Sequence, residues 1–317
     1  RMKGIISTVR TFFKDFRKVV KVGNVNNLPY NTGRFISLDE LYPVKLSREH
    51  TDYYNNVEKG NINAISGRLQ RISIFVYPTS RSDIKGFSPE PDTKAYKTHF
   101  DDRGRLREDS SLNKIFANDQ FMYRRGAKLL ESKRLISQYK GLVVVSLDNV
   151  KGSGCRLAAE YYAKVFDLDH YDGKDSMLNE MLDVDRSYCS EQKDSNIVVQ
   201  ERRRSSVAII DGSTPPAALL NIKNAASHIS NIDGKLIRIV IITKAASEGI
   251  SLLGAEAAIL INPKWTVSAK QQSEARAIRT DSYTKKGPIL EARAGHKLDL
   301  TIDVYRLVSL KGKIESY

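Results

Sequence analysis

Apolar and polar residues follow an irregular pattern in the first part of the chain. In GIISTVRTFFKDFRKVV (4–20) the apolar residues recur at close to helical spacing, which predicts a helix. LYPVKL (41–46) predicts a short extended piece, and the polar segment after it predicts a helix capped by Ser47 and ended at Gly60. RISIFVYP (71–78) predicts a strand, and the Pro- and Gly-containing segment 80–111 predicts a loop.

From about residue 132 the pattern changes to short apolar runs that alternate with amphipathic segments. The runs are rich in β-branched residues, as in strands that are buried on both faces. They are GLVVVSL (141–147), SVAIIDG (206–212), a third run that ends at Thr243, AEAAILINP (255–263) and LTIDVYRLVSL (300–310). This alternation predicts the α/β class, a parallel sheet with helices on both faces, behind an irregular helical lead-in.

This change of pattern divides the chain into two regions. Residues 1–131 form the lead-in, and residues 132–317 form the α/β domain. The acidic, polar stretch 167–195 is predicted to be an insertion at the surface of that domain. DLDHYDGKD (167–175) superficially resembles a calcium loop, but Tyr171 and Leu178 occupy positions where the ion needs oxygen ligands, so no metal site is predicted.

Charge narrows the choice of partners. The 317 residues include 51 Lys and Arg against 37 Asp and Glu, a net charge of +14. Such an excess favours a polyanionic partner, usually nucleic acid. No apolar run is long enough to span a membrane and no signal peptide is recognised, so no membrane partner is expected. The two cysteines fit a reducing, intracellular setting.

Polar or Gly-rich residues follow four of the predicted strands, where the loops of a parallel sheet carry ligands. Gly212, Ser213 and Thr214 would offer N–H and hydroxyl donors to a phosphate at a helix N-terminus, or Ser213 or Thr214 could be only an N-cap. Ser146 would act likewise, or be only a strand-end hydroxyl. Further on, a helix is predicted to begin with a capping box, Ser268 with Gln271.

That last helix carries Gln272, Arg276 and Arg279, spaced by four and three residues. On a helix this spacing places the three side chains in one stripe. The stripe is compatible with a solvated basic face or with a set of functional side chains. The motifs that surround it favour the second interpretation.

The segment IITKAASEGISLLGAEAAILINPKW (241–265), followed by Gln272-x-x-Ala275-Arg276-x-x-Arg279, resembles motifs V and VI of superfamily 2 helicases. KGLVVVSL (140–147) resembles motif IV, and IIDGSTPP (209–216) resembles motif IVa, in the same order as in the family. The resemblance implies a RecA-like sheet of the P-loop NTPase type. Within the superfamily, GIISTVRTFF, YPVKLSREHTDYY, RISIFVYP and RAIRTDSY are similar to the large-DNA-virus branch, which includes the poxvirus and asfarvirus early transcription factor small subunit and nucleoside triphosphate phosphohydrolase I.

Site residues follow from the resemblance, position by position. Arg276 and Arg279 would reach across a cleft to the γ-phosphate of ATP, with Gln272 in support. Glu248 and Gly249 would lie near the nucleotide. Contacts to nucleic acid would come from the six residues Ser146, Gly212, Ser213, Thr214, Thr243 and Lys244. The chain departs from the family pattern at Ala275, where glycine is usual, and after motif IVa, where an arginine and a Phe-Asn pair are missing.

No G-x-x-x-x-G-K-[ST] phosphate loop occurs in the chain. The resemblance therefore implies the C-terminal half of a motor, with the first RecA-like domain and the Mg²⁺ ligands outside these residues. The full-length protein is expected to be an ATP-dependent helicase or NTPase that uses ATP and Mg²⁺, and this chain alone is expected to be inactive.

Three functions remain compatible with the resemblance. The first is a nucleic-acid-dependent helicase or translocase, viral and active in transcription, that binds DNA rather than RNA. The second is a DNA-binding early transcription factor subunit that engages viral RNA polymerase or another transcription factor subunit and uses hydrolysis for release. The third is a RecA-like scaffold without catalysis. A viral protein of this kind is expected in the virion and the host cytoplasm.

Overall fold

The computed structural model describes residues 19–22, 41–59, 65–174, 204–243, 252–262, 286–298 and 300–310. Strands in these ranges are β1 (Val19–Val22), β2 (Tyr42–Lys45), β3 (Leu142–Ser146), β4 (Asp169–Tyr171), β5 (Ser206–Ile210), β6 (Ile237–Ile242), β7 (Ala255–Leu260) and β8 (Ile302–Leu310). Helices are α1 (Arg48–Lys59), α2 (Ile65–Ile72), α3 (Asp92–His99), α4 (Leu112–Phe116), α5 (Asp119–Ile136), α6 (Cys155–Phe166), α7 (Pro216–Ser227) and α8 (Gly287–Ala294).

Every strand pair in the described ranges is parallel. Seven strands follow the order β1-β8-β7-β3-β6-β5-β4, and β2 pairs with the last residues of β8. β3 therefore lies between β6 and β7, and its residues are buried on both faces up to Val145. A parallel sheet needs this double cover because its crossover connections place helices on the faces.

Two apolar layers enclose the sheet. On one face Val143 and Val145 pack with the lead-in and with helices α4, α5 and α6. On the other face Leu142 and Val144 pack with α7, through Ile222 and its neighbours. The alternation of β3 side chains between the two layers is the period of two that an extended chain imposes. The predicted α/β class, with helices on both faces of a parallel RecA-like sheet, is confirmed.

Several predictions for the lead-in are confirmed and two are wrong. The extended piece is β2, and the helix after it is α1, where Ser47 Oγ accepts from the backbone N of His50 over 3.1 Å. The predicted strand 71–78 is wrong, because α2 runs to Ile72 and a buried irregular segment follows it. The predicted loop 80–111 contains α3. Apolar residues mark burial in both segments, but their backbone conformation depends on the elements packed over them.

The irregular segment is held by α5 rather than by a sheet. The backbone N of Val76 donates to the oxygen of Arg125 over 2.9 Å, and the buried Arg125 guanidinium donates to the oxygens of Ile84 and Gly86, each over 2.6 Å. An extended residue whose N–H is satisfied in this way needs no strand partner. This is the physical reason that the apolar run does not become a strand.

The predicted division between residues 131 and 132 falls inside α5. The first residues of the predicted insertion, Asp169–Tyr171, form β4 beside β5. The division and the insertion stay predictions, since residues 175–203 lie outside the described ranges. The predicted helix in residues 4–20 lies outside them as well, apart from the last two residues, which belong to β1. None of the described helices is long and apolar enough to cross a membrane.

Candidate nucleic-acid interface at the carboxyl edge of the sheet

The carboxyl ends of four neighbouring strands bring several predicted residues to one edge. The register places Ser146 beside Ile242 on one side and Leu260 on the other, and it places Ile210 beside Ile242. Backbone hydrogen bonds continue beyond the strands, from Leu147 N to Ile242 O and from Thr243 N to Ile210 O, each over 3.0 Å. Thr243 is therefore fixed between the end of β5 and the end of β3. Ser146, Thr243 and the Gly212–Thr214 turn lie along the same edge.

Asp211 shapes the turn after β5. Its Oδ1 accepts from Ser213 N over 2.8 Å and from Ser213 Oγ over 2.6 Å, and its backbone N donates to Thr214 Oγ1 over 2.9 Å. The Asp211 carboxylate is buried, and the Arg156 guanidinium lies 3.9 Å from its Oδ2. Gly212 and Ser213 are exposed at the surface of this turn. Asp211 was not among the predicted site residues, although an aspartate after a buried strand and before Gly-Ser-Thr is a common turn signal.

The alternative role of Ser213 or Thr214 as an N-cap is wrong. Helix α7 begins at Pro216 with Pro215 before it, and no side chain caps it. Proline suits this first helical position because its missing N–H would have no intrahelical partner there. The two hydroxyl groups are held by Asp211 instead, so the turn and not the helix decides where they point.

Two buried polar side chains at this edge lack hydrogen-bond partners within the described residues. Thr243 is 1% exposed and its Oγ1 has none, and Asn262, 5% exposed, has none for either amide atom. Thr243 follows β6 and Asn262 follows β7, on either side of β3, and buried polar groups without partners are uncommon enough to make both residues candidates for ligand contact. Asn262 was not among the predicted site residues; its place directly after a buried strand is the signal that could have found it.

The loop between β3 and α6 is held by the lead-in. Tyr77 Oη donates to Gly152 O over 2.7 Å, and Ser153 Oγ donates to Phe75 O over 2.9 Å. Ser153 N donates to Asp92 Oδ2 over 3.2 Å, at the start of α3. A second contact joins Gln70 Nε2 to Asp148 Oδ2 over 3.1 Å. The lead-in therefore sets the conformation of the loop that follows the predicted motif IV.

Two clefts adjoin the Asp211 turn. The larger has a volume of about 400 Å³ and lies between α3 with its following turn and the loop before α6. The smaller, about 210 Å³, is bordered by β4 and the start of α7. Arg156, Asp211 and Ser213 line both. The ion pair of Arg156 with Asp211 therefore separates the larger cleft from the smaller one.

The other predicted site residues lie outside the described ranges. These are Lys244, Glu248, Gly249, Gln272, Arg276 and Arg279. Their roles at the nucleotide and at nucleic acid stay predictions. In the described part of the chain no group of three or more His, Cys, Asp or Glu side chains could hold a metal ion, and the resemblance expects the Mg²⁺ ligands on another domain.

Comparison with known proteins shows what part of this chain is similar to. Residues 181–281 match the model of the helicase conserved C-terminal domain. The match spans β5, β6 and β7 with the intervening segments, including Thr243 and the predicted motifs V and VI. This segment is therefore similar to the C-terminal domain of helicases, and the all-parallel sheet is consistent with the RecA-like fold of such a domain.

Among solved structures, one that is similar to this chain is the crystal structure of the C-terminal part of the Fun30 ATPase domain, at 14% identity and a TM-score of 0.40. The alignment covers 85% of this chain and 84% of that chain. No curated protein sequence matches the chain.

Proposed function

We propose that the chain is the second RecA-like domain of a nucleic-acid-dependent ATPase, a helicase or translocase, and that the carboxyl edge of its sheet binds the nucleic-acid backbone. The observation that carries the proposal is the unpartnered Thr243 hydroxyl at the end of β6, inside the stretch that matches the helicase domain. A phosphate oxygen is an acceptor that would satisfy this donor. The contact requires this edge to open, because the side chain is 1% exposed.

Two further features support this proposal. Ser146 and the exposed Gly212–Thr214 turn lie on the same edge as Thr243. The net charge of +14 favours a polyanion. Arg276 and Arg279 are proposed to stabilise the γ-phosphate of an ATP molecule that another RecA-like domain would hold, with Gln272, Glu248 and Gly249 nearby and Lys244 beside the nucleic acid.

The finer assignments rest on sequence resemblance. A role in viral transcription, DNA as the preferred nucleic acid, a viral RNA polymerase or transcription factor partner, and a place in the virion and host cytoplasm all come from the similarity to the large-DNA-virus branch. Promoter binding with hydrolysis for release would use the same edge of the sheet. Strand separation in the presence of ATP distinguishes a helicase from such a factor.

An isosteric substitution tests the proposed contact. Thr243→Val removes the hydroxyl and keeps the shape, so it should leave the melting temperature unchanged or raise it, because an unsatisfied buried donor is removed. A hydrogen bond from a protein group to a charged group contributes roughly 1.5–3 kcal/mol, so affinity for a single-stranded oligonucleotide should fall about tenfold or more. Fluorescence anisotropy with a labelled 20-nucleotide strand measures this affinity.

A matched control separates the contact from general effects. Thr51 is a buried threonine in α1 whose Oγ1 donates to Ser47 O over 2.8 Å, away from the carboxyl edge. Thr51→Val should therefore lower stability and leave affinity unchanged. If Thr243→Val binds the oligonucleotide as well as the wild-type chain does, the backbone contact is wrong. If the wild-type chain shows no salt-dependent binding at all, the whole proposed function is wrong.

A further inference from the structure

The helicase match begins at residue 181, but the larger cleft beside the Asp211 turn is walled mainly by residues that precede it. Lys97 comes from α3, Arg103 from the turn after α3, and Lys151 from the loop before α6. All three side chains are exposed and line the cleft. None of them forms an ion pair with a described residue. Within the described ranges, these three cations thus face one opening without an acidic side chain bound to any of them.

We infer that this cleft is a second contact surface for nucleic acid, in which Lys97, Arg103 and Lys151 hold backbone phosphates of a single strand. The inference rests on the proposed function, because it extends the same strand from the carboxyl edge of the sheet onto the lead-in. Ser213 belongs to both, since it lies in the turn after β5 and also lines the cleft. A strand that contacts this turn therefore reaches the cleft without leaving the surface.

Carboxylates also line the cleft. The hydrogen bonds and ion pairs that each carboxylate forms decide how strongly it repels a phosphate. Asp211 is neutralised by Arg156 and by the N–H and O–H groups of Ser213. Asp101 Oδ1 accepts from the backbone N of Arg105 over 2.8 Å, within the turn that carries Arg103. Asp102 is exposed and also lines the cleft, so its carboxylate offsets part of the positive charge there. The two carboxylates that are bound to donors keep the turns in shape, while the cations remain available to phosphate.

Both walls are ordered before any ligand arrives. Gly104 N donates to Asp101 O over 3.0 Å, and Asp101 N donates to Arg105 O over 2.9 Å, which closes the turn around Arg103. The loop with Lys151 is fixed by Tyr77 and Asp92, as described above. Ordering the backbone in advance lowers the entropic cost of binding. The backbone that carries Arg103 and Lys151 therefore needs no reordering when their side chains meet a phosphate.

The test measures how strongly salt weakens binding of a labelled 20-nucleotide single strand to the 317-residue chain. For single strands the slope of log affinity against log salt is about −0.7 per phosphate neutralised. The double variant Lys97→Gln with Arg103→Gln should therefore reduce the magnitude of the slope by about 1.4 and weaken binding at low salt. Lys97→Arg with Arg103→Lys keeps both charges and should keep the wild-type slope.

A control of equal charge change uses two exposed lysines that do not line the cleft, Lys114 on α4 and Lys164 on α6. The variant Lys114→Gln with Lys164→Gln should keep the wild-type slope. If it changes the slope as much as the cleft variant does, only net charge matters and the cleft inference is overturned. A wild-type slope in the cleft variant overturns it too, while the proposed function stands. No binding by the wild-type chain overturns both.

Small phosphate ligands are distinguished by competition. Orthophosphate and ATP are titrated against the labelled strand at constant ionic strength. We expect neither to displace the strand at micromolar concentration, since isolated phosphate contacts are weak. Displacement by ATP that is lost in the Lys97→Gln, Arg103→Gln variant, with strand affinity unchanged, would assign the cleft to a nucleotide and overturn the inference.

Discussion

Lys128 Nζ donates a hydrogen bond to the backbone oxygen of Ile261, 3.1 Å away. The bond ties α5 to the first residue beyond β7, and Ile261 N in turn donates to Ser146 O over 3.2 Å. Lys128 is 4% exposed, and burial lowers the pKa of its ammonium to about 7. The lysine thus holds the backbone directly before Asn262 at the candidate interface, in a setting that disfavours its charged form.

The first prediction concerns stability and pH at Lys128. Between pH 7 and the ordinary lysine pKa of 10.5, Lys128 binds a proton in the unfolded chain that it does not bind in the folded chain, so its contribution to stability rises with pH in this window. Lys128→Met removes this term, and the free energy of unfolding should rise less steeply, by up to about 1.4 kcal/mol per pH unit. Urea unfolding at pH 7, 8.5 and 10 measures the slope.

Two other contributions to stability must be distinguished from the titration of Lys128. Burial lowers the pKa of Lys286 to about 8 and raises the pKa of Cys155 and of Tyr77, so the quantity compared is the difference between the slopes of Lys128→Met and wild type, in which these shared contributions cancel. The loss of the bond to Ile261 O lowers stability equally at every pH and does not change the slope. Lys114→Met, at an exposed position, should keep the wild-type slope. Identical slopes for wild type and Lys128→Met would mean that Lys128 is charged in the folded chain throughout.

The second prediction concerns the loop that the lead-in holds. Gly152 has φ of +65°, and a Cβ there would lie 2.2 Å from Asp92 Oδ2. Gly152→Ala should displace Asp92 from Ser153 N and lower stability by about 1–3 kcal/mol beyond the cost of the backbone conformation alone. The displaced loop carries Lys151, so affinity for the single strand should fall as well. Chemical unfolding and anisotropy measure the two effects.

Gly295 is the matched control for this loop. Its φ is +72°, and a Cβ there would meet nothing within 4 Å. Gly295→Ala should lower stability by about 1 kcal/mol from the backbone conformation and leave affinity unchanged. Equal losses of stability in the two variants would show that the contact with Asp92 does not restrain the loop.

The third prediction concerns the arginine pair in the predicted motif VI. In the protein that also contains the first RecA-like domain, Arg279→Ala should lower kcat for nucleic-acid-stimulated ATP hydrolysis by roughly 10²–10⁵, because arginine stabilises the charge of the transition state. Lysine should not restore the rate, since an ammonium cannot supply the planar fork. The melting temperature should hardly change, because a side chain that acts only in the transition state contributes little to folding.

The outcomes for the two interpretations of this stripe differ. A merely solvated face predicts unchanged turnover with alanine and equal turnover with lysine. Unchanged hydrolysis in both Arg276→Ala and Arg279→Ala would remove the helicase-type role of this segment. The 317-residue chain by itself should not hydrolyse ATP, and Mg²⁺-dependent turnover by that chain would place the catalytic machinery elsewhere than proposed.

Sequence alone determined the class of fold and the edge at which the candidate residues meet. The apolar runs of β3, β5, β6 and β7 have no polar face, which only a sheet covered on both sides can accommodate. Once the strands are parallel, Ser146, Thr243 and Gly212 must follow strand ends on one edge. Strand burial and the positions of these residues relative to the strand ends can both be read from the order of residues, so the sequence is sufficient to predict them.

Tertiary structure alone decided how the lead-in and the site are joined. The run 71–78 is apolar enough for a strand, but Val76 N is satisfied by Arg125 O and the segment stays irregular. Ser213 is a different case, because the Asp211 carboxylate that binds its hydroxyl is only two residues away and proline begins α7, so local sequence already favoured a turn over a cap. Tyr77, Asp92 and Gly152 are separated by up to 75 residues, and no local pattern connects them. Such contacts depend on which groups packing brings within hydrogen-bond distance, and that is a property of the folded chain.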